Sequence, residues 1–349
     1  MQRGRRQRSR NTGQLAQRTS VEAPTLKREE ESLDLLEQWL LRHNVSVEVP
    51  ALMAAPLLLD LLLRNFGIYL FETRLPYYRF IYVLTACQRR QPSLRGQLSL
   101  SWDLATLWEE LEPVVHRTPI PLPLFKALVS TALAWQWNRF AAVVLISFCG
   151  ISRSGEPHRA TRGDLVLPCD RLEPDLGRVL MRVQAPKTRR RGGGRVQHLT
   201  IEGHLEVSFI EAVLAELPPE ARLFHLSGAA FRRRWDSLLN ALQIPPGTYT
   251  PAGLRGGGAI AHYQQGMPIS ELQWRMRLQG QDSLRHYLQE VTCEISLASL
   301  HLGARRRILS AAQFYEHWLH FSCSPSSASL TSMWQRDAPQ QPHATHPRA

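Results

Sequence analysis

Between Leu33 and about Pro113 the apolar residues fall at three- and four-residue intervals: Leu35, Leu36, Trp39 and Leu40, then Leu57 to Leu63, Tyr77 to Leu84 after Pro76, and Leu104, Leu107, Trp108 and Leu111. That is the period of amphipathic helices, and it predicts a small all-helical domain over residues 33–113. Residues 1–32 are polar and carry no such period, so they read as a disordered basic tail. Arg117-Thr118-Pro119-Ile120-Pro121-Leu122-Pro123 places three prolines at alternate positions. Proline fixes φ and restrains the residue before it, which predicts an extended linker over 114–123.

A second helical run passes through Trp135, Trp137 and Phe140 to Cys149 and stops at Gly150. After Asp164 the period changes to alternation. Leu165 to Leu167, Arg178 to Gln184 and Val196 to Ile201 read as three short strands, the last two joined by the stretch from Pro186 to Gly194. Helical spacing then returns in Ile210, Val213, Leu214 and Leu217, again in Phe231, Trp235, Leu238, Leu239 and Leu242, and over 256–265, 268–277, 282–291 and 304–320. The fold class is therefore mainly α with a small antiparallel β-sheet, an α+β arrangement in which a second domain over 124–300 follows the helical one. Residues 301–322 are expected to form a C-terminal helix that docks on a neighbouring copy or packs on its own domain, and residues 323–349 a disordered Ser/Pro/His-rich tail. No internal repeat is present.

Composition narrows the class. A chain of 349 residues with 44% hydrophobic content supports two cores. A formal net charge of +12 and a pI near 10.1 favour a polyanionic partner, nucleic acid first and an acidic membrane surface second. All 42 basic residues except Lys27, Lys126 and Lys187 are arginine, so each lysine is informative while the arginine excess itself is not. Cys87, Cys149, Cys169, Cys293 and Cys323 are widely spaced and form no CxxC pair, which supports neither a zinc site nor a disulfide framework and suits an intracellular protein with reduced thiols. The longest apolar run, Phe140 to Ile151, is too short to span a bilayer. Arg3, Arg5, Arg6, Arg8 and Arg10 suit a nuclear address, an organelle presequence, a DNA-tracking arm or a plain solvated tail equally.

Four pieces of the second domain fit one chemistry: Arg153-Ser154-Gly155-Glu156 with Asp164 eight positions further on, Lys187 between the second and third strands, Arg255 three positions after Ala252, and Tyr287. Transesterification of a phosphodiester needs a nucleophile, cations around the non-bridging oxygens, and a proton donor for the leaving oxygen. Arginine forks suit the oxygens because they donate paired hydrogen bonds and stay protonated. These residues resemble the catalytic domain of the tyrosine recombinases (phage-integrase type), and the stretch from Trp274 to Glu290 is similar to divergent recombinases of eukaryotic mobile elements. The resemblance covers residues 115–291, and the helical domain only by position and size.

The resemblance implies DNA cleavage and rejoining through a 3′-phosphotyrosine, without metal or cofactor. Arg153 and Arg255 would hold the scissile phosphate, Glu156 would order the structure around it, Lys187 would protonate the leaving 5′ oxygen, and Tyr287, on a helix capped by Asp282, would be the nucleophile. Arg189, Arg190, Arg191 and Arg277 are candidate DNA contacts. Two positions depart from the family pattern: Ala252 stands where it has histidine, and Leu278, nine before Tyr287, where it has histidine or tryptophan. Thr250 and His262 are candidates to replace the first, Arg277 and Trp274 the second. The implied partners are double-stranded DNA and three further copies, forming a homo-tetramer whose two-domain subunits clamp the duplex, in the nucleus or another DNA-containing compartment and not at a membrane. A DNA-binding protein that keeps the fold without cleaving is the alternative reading, and a type IB topoisomerase a third.

Overall fold

A computed structural model of the chain describes residues 21–113, 117–172, 177–184, 197–278, 284 and 287–323. The chain divides into two compact units, Met1–Val115 and His116–Ala349.

The first unit is helical throughout its described residues: α1 (Ala23–Arg42), α2 (Val49–Leu52), α3 (Pro56–Glu72), α4 (Tyr77–Arg90) and α5 (Ser99–Leu111). Leu33, Leu36 and Leu40 of α1, Leu59, Leu63 and Phe66 of α3, Phe80, Val83 and Leu84 of α4 and Trp108 of α5 make its core. Buried Asp60 accepts hydrogen bonds from the backbone N–H groups of Leu100 and Ser101, both at 3.0 Å, and so supplies the cap that the first turn of α5 lacks locally.

The expected disordered tail does not reach residue 32, because α1 begins at Ala23 with Pro24 in its first turn, where a missing N–H costs nothing, while residues 1–20 lie outside the described residues. Its inner face opens on polar residues. Glu29 is buried against Arg89 at 2.5 Å, and Ser32 donates to the Arg28 carbonyl. A helix whose first buried residue is a paired carboxylate shows no hydrophobic period there.

In the second unit α6 (Leu122–Ala134) and α7 (Asn138–Cys149) form the centre, and every residue from Phe140 to Phe148 is buried. Helix α8 (Gly155–Arg159) leads to a three-stranded antiparallel sheet in the order β1 (Leu165–Val166), β2 (Arg178–Val183), β3 (Gln197–Glu202), with Leu165 opposite Met181 and Met181 opposite Leu199. The alternate residues Val179, Met181, Leu199 and Ile201 face the core, as period-two strands packed on helices require. Its described residues also form helices α9 (His204–Leu214), α10 (Gly228–Ala241), α11 (Gly253–Gln264), α12 (Ile269–Met276), α13 (Glu290–Ala298), α14 (Leu302–Ala312) and α15 (Tyr315–Cys323).

Three more expectations change. The linker does not extend to residue 123: α6 starts at Leu122 with Pro123 in its first turn, and Ile120 N–H donates to the Gly253 carbonyl at 3.1 Å, so this extended segment is built against α11. The single C-terminal helix is two helices, and Ala304, Ile308, Tyr315 and Leu319 belong to the main core of their own unit, which decides for packing in place over docking on a neighbour. Leu284 is helical as expected, but Tyr287 lies in a turn beyond it, its N–H donating to the Leu284 carbonyl at 2.9 Å and that of Leu288 to the same carbonyl at 3.1 Å, and a separate helix starts at Glu290. Asp282 and the tail from 324 lie outside the described residues.

Candidate active site

The N-terminal turn of α11 places Arg255 inside the unit. Its neighbours Gly257 and Gly258 are held at close approach: a Cβ on Gly257 would meet the Ile120 carbonyl oxygen, and one on Gly258 the Phe148 carbonyl oxygen. The glycines after Arg255 therefore serve helix packing, which seats α11 deeply enough to bury the arginine.

Arg255 is 4% exposed. Its Nη1 donates to the Ile151 carbonyl at 2.6 Å and its Nη2 to the Met276 carbonyl at 2.5 Å. Two main-chain carbonyls at different ends of the site thus fix the plane of the guanidinium. Ile151 presents its carbonyl from a left-handed conformation, φ 48°, which is costly for a β-branched residue. Its side chain is fully buried with Ala259, Leu272, Met276 and Leu284, and that packing holds the turn.

Tyr287 rests on the same apolar cluster together with Leu278 and Leu288. The Arg255 guanidinium carbon lies 5.2 Å from the centre of the Tyr287 ring, within cation–π range. Burial pushes the Arg255 guanidinium down to about 10; Arg153 and Arg277 add to this, while Tyr287 and Glu156 oppose it. It remains protonated at neutral pH.

Arg153 and Glu156 sit at the mouth of α8. Glu156 is buried, accepts from the Arg153 backbone N–H at 2.9 Å through Oε2, and pairs with the Arg153 Nη1 at 3.3 Å through Oε1. A second guanidinium reaches the same carboxylate: Arg277 Nη2 lies 2.7 Å from Glu156 Oε2. Arg277 occupies the left-handed position that ends α12, φ 56° and ψ 44°, a place where glycine is the usual residue and an arginine costs on the order of 1 kcal/mol. The site therefore gathers Arg153, Arg255 and Arg277 around one carboxylate. Arg255 Nε and Arg277 Nε and Nη1 are buried without an acceptor among the described residues.

Asp164 ties this end of the unit to the sheet. It accepts from the Thr161 N–H, from Arg182 at 2.9 Å and from Gln184 at 2.8 Å. Burial raises its carboxyl, but the hydrogen bonds from Gln184, Thr161 and Arg182 outweigh it and hold the group below its usual range. Gln184 is the last described residue before the connection carrying Lys187, Arg189, Arg190 and Arg191, and all four lie outside the described residues.

Of the residues singled out from sequence, Arg153, Glu156, Arg255, Arg277 and Tyr287 come together. His262 does not join them: its Nε2–H donates to the Cys149 carbonyl at 2.9 Å, and the ring lines a groove of about 770 Å³ with Phe125, Glu206 and Tyr315. Trp274 projects outward, 70% exposed, and Leu278 packs into the apolar floor. Ala252 is the residue before α11 and offers no side-chain cap. Sequence reasoning missed the carbonyls of Ile151 and Met276, which carry no side-chain signature, and the ion pair between Arg277 and Glu156, whose partners are 121 positions apart.

No family model matches the sequence, and no curated protein sequence matches it. The chain is similar to solved recombinases. XerA recombinase is 15% identical, with 95% of this chain and 97% of that one covered and a TM-score of 0.39. XerH bound to its difH substrate before cleavage is 13% identical, covering 82% and 92% with a TM-score of 0.42. XerH on a palindromic difH substrate after cleavage is 14% identical, covering 70% and 78% with a TM-score of 0.41.

Proposed function

We propose that the protein cleaves and rejoins DNA strands by transesterification, with Tyr287 as the nucleophile and Arg153 and Arg255 as the ligands of the scissile phosphate. The observation that supports this best is the placement of the Arg255 guanidinium over the Tyr287 ring within a cluster of excess positive charge. A phenol is a weak nucleophile until its proton leaves and its negative charge is stabilised. Arg255, fixed by two carbonyls, is oriented before the reaction and so stabilises developing charge without reorganising, the term that usually dominates such catalysis.

In this reading the Tyr287 oxygen attacks phosphorus and its proton passes to water. The bond from phosphorus to the 5′ oxygen breaks, the 3′-phosphate becomes joined to Tyr287, and the 5′ oxygen takes a proton from Lys187. Attack by a 5′ hydroxyl reverses each step and reseals the strand. Site-specific recombination by a tetramer, in a compartment that holds DNA, and an origin in a mobile element are parts of the same proposal. Among the described residues no helix is long and apolar enough to cross a membrane.

The test is to offer the protein a pool of nicked, randomised duplexes and look for a covalent protein–DNA band on a denaturing gel, with Tyr287→Phe alongside. A band lost in the variant supports the reading. A second reading, a DNA-binding protein that retains the fold without cleaving, is favoured by the apolar residues at Ala252 and Leu278 and by the turning away of His262. It expects both proteins to bind DNA with a steep salt dependence and neither to form the band.

A further inference from the structure

We infer that Arg277 is a positioning residue that acts as the counter-ion of Glu156 and so leaves the charge of Arg153 available to the phosphate. The inference rests on the phosphodiester-cleaving reading above and extends it to a residue that reading does not use.

The geometry carries it. Glu156 has one negative charge and two arginines on it, with Arg277 the closer at 2.7 Å and Arg153 at 3.3 Å. The Arg277 side chain is 8% exposed and that of Glu156 2%, so their attraction is little screened, whereas Arg153 is 23% exposed. With all three arginines present, the cluster holds two positive charges more than negative ones. A phosphodiester carries one negative charge and its five-coordinate transition state a second, so the excess matches the charge at the top of the barrier. Without Arg277, Glu156 would neutralise Arg153, and only the charge of Arg255 would be left over.

The backbone adds an independent observation. Arg277 ends α12 through the hydrogen bonds Arg277 N–H to Trp274 O at 2.9 Å and Leu278 N–H to Gln273 O at 3.1 Å, a closure that glycine makes without strain. The helix end does not need an arginine, yet the guanidinium is drawn inward onto Glu156, with two of its nitrogens buried and without an acceptor among the described residues.

The reading separates from that of a simple brace through four proteins: the native chain, Arg277→Gly, which suits the left-handed backbone, Arg277→Lys, and the double variant Glu156→Gln with Arg277→Gly. Two quantities are measured on the full chain: the rate of covalent adduct formation on the nicked duplex pool at saturating DNA, and the affinity for inorganic orthovanadate by calorimetry, which needs no cleavage. Removing one charge of a buried pair is expected to slow adduct formation about 100-fold and weaken orthovanadate about 30-fold in Arg277→Gly. The double variant regains most of both losses because the carboxylate is gone as well, and Arg277→Lys stays near native because a point charge suffices. Thermal unfolding of each variant sets a common temperature, below the lowest midpoint, at which all four proteins are folded and compared.

Native-like values for Arg277→Gly, or a double variant no better than Arg277→Gly alone, would overturn the inference. If the native chain forms no adduct while the orthovanadate series keeps this order, the cleavage reading falls and the role of Arg277 stands. If the native chain binds no orthovanadate and forms no adduct, both fall.

Discussion

The Arg255 guanidinium carbon lies over the Tyr287 ring, 32 positions away in sequence, at 5.2 Å from its centre, and the arginine is held there by the carbonyls of Ile151 and Met276. Tyr287 rests on the apolar cluster around Ile151 and Leu284, and in the proposed reaction the pair supplies the nucleophile and a charge beside it. Lysine in place of the arginine would keep the charge but could not span both carbonyls from one plane. Arg255→Lys is expected to lower the rate of covalent adduct formation by roughly 100- to 1000-fold, the range for loss of a fixed charge-stabilising donor. The rate at saturating DNA, measured beside the native chain, checks this.

The glycines of α11 are a packing device, and this too can be read out. Gly257→Ala is expected to destabilise the protein by about 1–3 kcal/mol or more, because its Cβ collides with main chain that cannot swing aside. Urea unfolding gives the loss. The DNA affinity of the fraction that remains folded should be unchanged, whereas a glycine that admits DNA would lose affinity with little loss of stability.

His262 is engaged structurally rather than chemically. His262→Ala is expected to leave adduct formation within a few-fold of native. It should cost about 1–3 kcal/mol of stability, since the Cys149 carbonyl then loses its donor. A loss of adduct with unchanged stability would make the imidazole the missing base.

The Asp164 carboxyl is held below its ordinary value of 3.8 in the folded protein. A depressed carboxyl stabilises the fold fully above its unfolded value, and this contribution is lost as pH falls from there through the folded one. The native chain should therefore lose stability steeply below about pH 4. Asp164→Asn should be less stable at neutral pH and show a shallower acid decline in pH-dependent unfolding.

Much of the fold was legible because two periods do not overlap. The alternation at Leu165, Arg178 and Val196 located the strands to within a residue or two, and the three- and four-residue spacing located the central helices. The first half of α1 was hidden because its buried Glu29 finds its partner, Arg89, 60 positions away. The turn at Tyr287 was hidden because the Leu284 and Leu288 spacing suits a helix as well as a turn over an apolar floor. At the site, motif spacing named Arg153, Arg255 and Tyr287, which the fold brings together. It gave no sign of the Ile151 and Met276 carbonyls, since any residue carries a carbonyl, nor that Arg277 turns inward to Glu156.

The central claim is that Tyr287 itself becomes joined to DNA, and the most direct measurement is to map the bond. After incubation with nicked duplex, nuclease treatment and trypsin, cleavage after Arg285 and Arg305 leaves a peptide over residues 286–305 in which Tyr287 is the only tyrosine. Mass spectrometry is expected to find that peptide carrying a nucleotide through a phosphodiester on Tyr287. A nucleotide on any other residue, or an unmodified peptide from protein that had bound the duplex and sampled its target, would contradict the account.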